Sequence, residues 1–148
     1  MHKIVTLTMN PLVEKDTSVA SIRPNTKLRC ASPTYQAGGG GINVSRALNK
    51  LGGKSLCIYL AGGYRGDHLR ELVANAGIAQ EVISVEGRTR DYLSVTDTIT
   101  NLQYRFGVPG PHVKEKEWEH VLKLLEEHIQ KGDYLVVSGK LPPGVPPN

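Results

Sequence analysis

Apolar and polar positions alternate at the start of the chain. From Lys3 to Met9, Val5, Leu7 and Met9 fall on one face and Ile4, Thr6 and Thr8 on the other, a period of two that predicts a strand near the core. Asn10-Pro11 ends it. Between Leu12 and Ala37 no helical period appears; polar and β-branched pieces punctuated by Pro24 and Pro33 predict short extended strands. If Lys27 to Cys30 is one of them, Lys27 and Arg29 share a face and Leu28 and Cys30 take the other. Two cations so placed suit a phosphate, or are two solvated charges on an edge strand.

A helical period then takes over. Val44, Ala47, Leu48 and Leu51 recur at that spacing, with Gly52-Gly53 as the stop. Ser55 to Ala61 is an uninterrupted apolar run, expected to be a strand buried on both faces. A second helix carries Leu69, Leu72, Val73 and Ala76, with Asp67 as its cap and Gly77 at its end, and Glu81 to Val85 reads as the next strand. Strands alternating with helices predict an α/β fold with a mainly parallel sheet.

The pattern breaks at Tyr92. Leu93, Val95 and Ile99 are apolar, interrupted by Asp97, against polar Ser94, Thr96, Thr98 and Thr100. After a turn near Thr100-Asn101, Leu102, Tyr104 and Phe106 oppose Gln103 and Arg105. This predicts an antiparallel hairpin with one wet face. Such a hairpin does not fit inside a parallel sheet, so with the early strands it is expected to form a small separate sheet, a lid. Trp118, Val121, Leu122, Leu125 and Ile129 then mark an amphipathic helix with Glu115 and Glu117 at its positive end. His120 and His128 read as surface residues. A last strand, Tyr134 to Ser138, releases Gly139-Lys140-Leu141-Pro142-Pro143-Gly144 at its carboxyl end, where open α/β sheets place ligands.

The chemistry centres on Gly38-Gly39-Gly40-Gly41-Ile42-Asn43. Four glycines let a ligand approach backbone N–H groups at the positive end of the following helix, which suits a polar or anionic group. The competing reading is a tight turn that only lets loop and helix pack. A Walker A loop is excluded because no Lys-Ser or Lys-Thr follows at the required spacing. A dinucleotide fingerprint is excluded because the loop does not follow the first strand.

Composition narrows this further. With 148 residues the chain can build one domain with a core, and no run of about 18 apolar residues exists to span a membrane. No secretory signal is read at the N-terminus, so a cytoplasmic setting is expected, with Cys30 and Cys57 as buried thiols. The net charge of +4 is scattered, and one Phe and one Trp make a poor base-stacking platform, so an anionic small molecule fits better than nucleic acid.

Thr6-Leu7-Thr8-Met9-Asn10-Pro11, Lys27-Leu28-Arg29-Cys30, the glycine loop with Asn43, Gln103-Tyr104-Arg105-Phe106 and Ser138-Gly139-Lys140-Leu141-Pro142-Pro143-Gly144 stand in this order. Together they resemble the PfkB (ribokinase-like) family of carbohydrate kinases, nearest its phosphofructokinase branch. The resemblance implies an α/β ribokinase-like fold, a mainly parallel sheet with flanking helices plus a small antiparallel β lid. Residues 1–148 would be the N-terminal part of one such domain, with lid strands near 12–36 and 90–107 and the family's C-terminal half absent.

It also implies sugar-hydroxyl contacts at Gly38, Gly39 and Asn43, contacts to the phosphate or its surroundings at Lys27, Arg90 and Arg105, and Ser138 at the sugar-side floor; Arg29 joins the candidate binding set through the face it would share with Lys27. The family Asp that binds a hydroxyl aligns with Glu14, with Asp16 two residues on. No Gly-x-Gly-Asp, the family's catalytic signature, occurs here, so no catalytic residue or metal ligand is assigned. ATP and Mg2+ would be held mainly by the missing half. The implied reaction of the full-length parent is ATP-dependent phosphorylation of fructose 6-phosphate to fructose 1,6-bisphosphate, with this chain inactive alone. A homodimer through the lid is implied too. Tagatose 6-phosphate, fructose 1-phosphate or a neutral sugar are alternative acceptors, and a non-catalytic anion- or nucleic-acid-binding module is the alternative of another class.

Overall fold

The computed structural model describes residues 2–147. Two four-stranded sheets form. The first has the order β5-β4-β1-β8, built from β1 (Ile4–Thr8), β4 (Leu56–Ala61), β5 (Ala79–Ser84) and β8 (Tyr134–Val137), with every pair parallel. The second has the order β3-β2-β6-β7, built from β2 (Leu12–Val19), β3 (Thr34–Gly38), β6 (Arg90–Asp97) and β7 (Gln103–Gly107). This matches the expected ribokinase-like arrangement of a parallel sheet and a second sheet, the one the sequence suggested as a lid and named the lid for that reason. The lid is mixed, however: β2 and β6 run parallel, while β2–β3 and β6–β7 are antiparallel.

β1 sits inside the parallel sheet and is buried on both faces, so its alternation does not separate core from solvent. Val5, Leu7 and Met9 join Ile58, Leu60 and Ile83 beneath α3 (Glu115–His128), whose Val121 and Leu124 close that core. On the opposite face Cys57, Tyr59 and Ala61 meet Ile42 of α1 (Gly40–Lys50) and Leu69 and Val73 of α2 (Gly63–Asn75). Each fully buried Ile or Leu contributes about 1.5–3 kcal/mol. Thr6 and Thr8 are tolerated there because both find partners: Thr6 Oγ1 lies 2.7 Å from Ser45 Oγ, and Thr8 Oγ1 accepts the Ile42 N–H at 3.0 Å.

Several sequence expectations are corrected. Lys27 to Cys30 is not a strand but part of an exposed irregular segment, and Cys30 is exposed. Pro24 and Pro33 flank that segment and withhold ladder donors. α2 starts at Gly63 with Gly62 as its N-cap, so Asp67 lies inside the helix. In α1 the buried positions are Gly41, Ile42 and Ser45, whereas Leu51 is 84% exposed; the apolar stripe turns away from the sheet. In α3 Leu124, not Leu122, faces the core. His128 is not an isolated surface residue, since its Nε2 lies 2.7 Å from Glu81 Oε2. The hairpin has no single wet face: Ser94 and Val95 are both buried, while all of β7 is exposed.

Candidate functional site

The glycine loop lies where two strand ends and a helix start converge. β3 ends at Gly38, Gly39 is the N-cap of α1, and Gly40 and Gly41 open the helix. Gly39 has φ +134°, a conformation that side chains rarely adopt. A Cβ on Gly40 would lie 2.7 Å from the Ser138 carbonyl carbon, and one on Gly41 would lie 2.6 Å from the Leu7 carbonyl oxygen. Packing against the carboxyl ends of β1 and β8 thus requires glycine independently of any ligand. The loop is a tight junction, and the helix start beside it is open.

The N–H groups of that start divide into two sets. Ile42 N donates to Thr8 Oγ1, and Asn43 N to the Gly39 carbonyl at 2.9 Å. Among the described residues the Gly40 and Gly41 N–H groups have no acceptor, so they remain available at the helix's positive end. Ser138 is brought against the same loop, and Gly139 follows it at φ +112°.

The lid contributes a charged face. Residues paired across a sheet share a face, and the register sets Glu14 opposite both Gln36 and Tyr92, and Asp16 opposite Ser94, which in turn opposes Arg105. Arg90 pairs with Leu12, two residues before Glu14, so it shares that face. Glu14, Asp16, Arg90 and Arg105 therefore form one surface of two carboxylates and two guanidiniums. Gln36 Nε2 donates to Glu14 Oε2 and to Asp16 Oδ2, both at 3.2 Å, and so gathers the two acids. Arg105 Nε donates to Gln103 Oε1 at 2.8 Å and is exposed. Arg90 is partly buried, and burial pushes its pKa below the ordinary arginine value.

Lys27 and Arg29 are exposed on the irregular segment, and no strand aims them at this face. Two residues escaped the sequence reading. Gln36 was hidden because cross-strand register cannot be read from one strand. Arg46 stands three residues after Asn43, a spacing that was legible on the helix. Its Nη1 donates to Asn43 Oδ1 at 2.9 Å, and Nη2 donates to the Ala37 carbonyl.

Residues 3–148 match the pfkB family carbohydrate kinases. The ATP-dependent 6-phosphofructokinase isozyme 2 of Mycobacterium tuberculosis is 43% identical over 143 residues, which are 97% of this chain and 42% of that protein. The crystal structure of phosphofructokinase-2 from Escherichia coli in complex with fructose-6-phosphate superposes with a TM-score of 0.94 at 40% identity, covering 99% of this chain and 48% of that one. A possible 1-phosphofructokinase from Thermotoga maritima gives 0.90 at 32% identity, covering 98% and 47%. The chain thus spans less than half the length of these relatives. The family match and these superpositions each cover nearly the whole of this chain, and the chain belongs to the pfkB family of carbohydrate kinases.

Proposed function

We propose that this chain supplies the acceptor side of an ATP-dependent phosphoryl transfer to a sugar phosphate, with fructose 6-phosphate as the first-ranked acceptor. The observation that carries the reading is the shared lid face of Glu14, Asp16, Arg90 and Arg105. Carboxylates accept hydrogen bonds from sugar hydroxyls, and guanidiniums form paired bonds to a phosphate. The glycine-loop N–H groups and Asn43 add donors for the remaining sugar oxygens, and Ser138 adds a hydroxyl beside them. Lys27 and Arg29 join this set only if their segment moves toward the lid face.

Phosphoryl transfer depends on positioning and charge stabilisation, with a base to take the hydroxyl proton. This chain's residues hold and orient the acceptor. MgATP would supply the phosphoryl group, and the base and nucleotide pocket are assigned to the part of the relatives' length that this chain does not span. Among the described residues no group of three or more His, Cys, Asp or Glu is placed to hold a metal ion. No helix among them is long and apolar enough to cross a membrane. A cytoplasmic setting and a homodimer through the lid complete the reading; the exposed outer strand β7 is the surface available for that contact.

Calorimetric titration of the chain with fructose 6-phosphate, tagatose 6-phosphate, fructose 1-phosphate and fructose tests it. Binding of fructose 6-phosphate ahead of the others is expected, and equal binding of neutral fructose would overturn it. The similarity to the possible 1-phosphofructokinase makes fructose 1-phosphate the second reading.

A further inference from the structure

We infer that Arg46 is a positioning residue that holds the glycine loop closed at both ends and fixes Asn43 as a pure hydrogen-bond donor toward the acceptor sugar. The inference builds on the proposed function and adds a residue to it.

The guanidinium spans the loop. Nη2 donates to the carbonyl of Ala37, the last residue before the four glycines, and Nη1 donates at 2.9 Å to Oδ1 of Asn43, in the first turn after them. Four successive glycines are entropically costly to order, and a single rigid fork that grips residues 37 and 43 removes much of that freedom. Arg46 can do this because it is half-buried on α1, beside the buried end of β3, where Ala37 is 3% exposed.

The chemistry of the fork fixes the direction of the next bond. Guanidinium has donors only, so the Asn43 oxygen must face Arg46. The free end of the exposed Asn43 side chain is then its NH2 group, which can donate and cannot accept. A ligand group meeting that NH2 end must offer a lone pair. Without Arg46 the amide can turn over and present either end, and the loop loses its cross-tie.

Two measurements test this on the chain itself. In the first, without ligand, the Asn43 side-chain NH2 resonances of 15N-labelled protein are compared between wild type, Arg46→Met and Arg46→Lys. A clear shift in Arg46→Met with other core resonances unchanged is expected, and an unmoved Asn43 pair overturns the inference. Arg46→Lys serves the same comparison if Arg46→Met does not fold.

In the second, fructose 6-phosphate affinity is measured for Arg46→Met, Asn43→Ala and the double variant. Each single change is expected to weaken binding about tenfold. The double variant should be no weaker than Asn43→Ala, because Arg46 acts through Asn43. Fully additive losses overturn the inference. A wild-type chain that does not bind the sugar phosphate would sink the proposed function, and the ligand-free Asn43 comparison would then decide the role of Arg46 alone.

Discussion

Arg90 Nη2 donates to the carbonyl of Asn10 at 3.2 Å, joining residues 80 apart in sequence. Its Nη1 reaches the Val108 carbonyl at 3.3 Å. Asn10 lies where the chain leaves β1 for the lid, and Val108 where it leaves β7. One guanidinium thus ties the lid's entry to its exit. Its Nε is buried and, among the described residues, has no partner.

Arg90 is therefore expected to serve both lid and ligand. Arg90→Ala should weaken fructose 6-phosphate binding by roughly 10- to 100-fold, the range for charge-assisted bonds. It should also lower the thermal midpoint. Arg90→Lys keeps the charge but cannot bond two carbonyls with a flat fork, so its midpoint should fall as well. Calorimetric titration and a thermal melt of each variant check this; unchanged affinity in Arg90→Ala would remove Arg90 from the phosphate site.

The two lid carboxylates should differ in effect. Glu14 pairs with Gln36 and Asp16 with Thr34, while Leu12 pairs with Gly38, so Glu14 stands one strand repeat, about 7 Å, nearer the glycine loop. Glu14→Ala should cost about tenfold in acceptor affinity and Asp16→Ala markedly less. Titrating both variants with fructose 6-phosphate decides, and a larger loss in Asp16→Ala would transfer the hydroxyl contact to that residue.

Packing separates glycines that look alike in the sequence. A Cβ at Gly41 would lie 2.6 Å from the Leu7 carbonyl oxygen, an atom fixed in the central strand. A Cβ at Gly52 would meet nothing within 4 Å, although φ there is +79°. Gly41→Ala should lose about 2–3 kcal/mol through overpacking, and Gly52→Ala about 1 kcal/mol through its left-handed backbone. Urea unfolding of the two variants measures the difference, and equal losses would mean that the loop is free to move away from β1.

Periodicity carried most of this fold because the elements are short and bounded by glycine or proline. β4 reads as an apolar run because both its faces are covered, by α3 on one side and by α1 and α2 on the other. Periodicity failed for α1, where Val44, Ala47, Leu48 and Leu51 form a regular stripe but Ile42 and Ser45 face the sheet. A period gives the existence of a face and not its direction. The local structure of the candidate site was legible in the glycine loop and the turn after β8, where neighbouring residues set it. It was hidden where it is set by register: Gln36 meets Glu14 and Asp16 only because β3 lies antiparallel beside β2. The strand expected over Lys27 to Cys30 failed for the converse reason, since alternation over four residues cannot make a strand without a neighbour to pair with.

Asp97, which breaks the apolar face of the hairpin in the sequence, is a turn-former that should set the acid stability of the lid. It is buried, its Oδ2 accepts the Ile22 N–H at 2.9 Å, and its Oδ1 accepts those of Ile99 and Thr100 at 3.0 Å each. These backbone N–H groups, Ile22 first, hold its carboxyl below the usual aspartate value of 3.8. A carboxyl depressed by folding contributes stability that is complete above the unfolded value and is lost as pH falls through the folded one. Wild-type stability should therefore hold from neutral pH to about pH 5 and decline below about pH 4. In Asp97→Asn an NH2 replaces one acceptor oxygen and opposes at least one backbone N–H, so neutral stability drops. Asp133, held low by the Lys3 and Gln130 N–H groups, still titrates in the variant, so a shallower acid slope remains. Urea midpoints of both proteins across this pH range should converge as pH falls. Parallel curves would show that Asp97 does not carry the acid sensitivity of the lid.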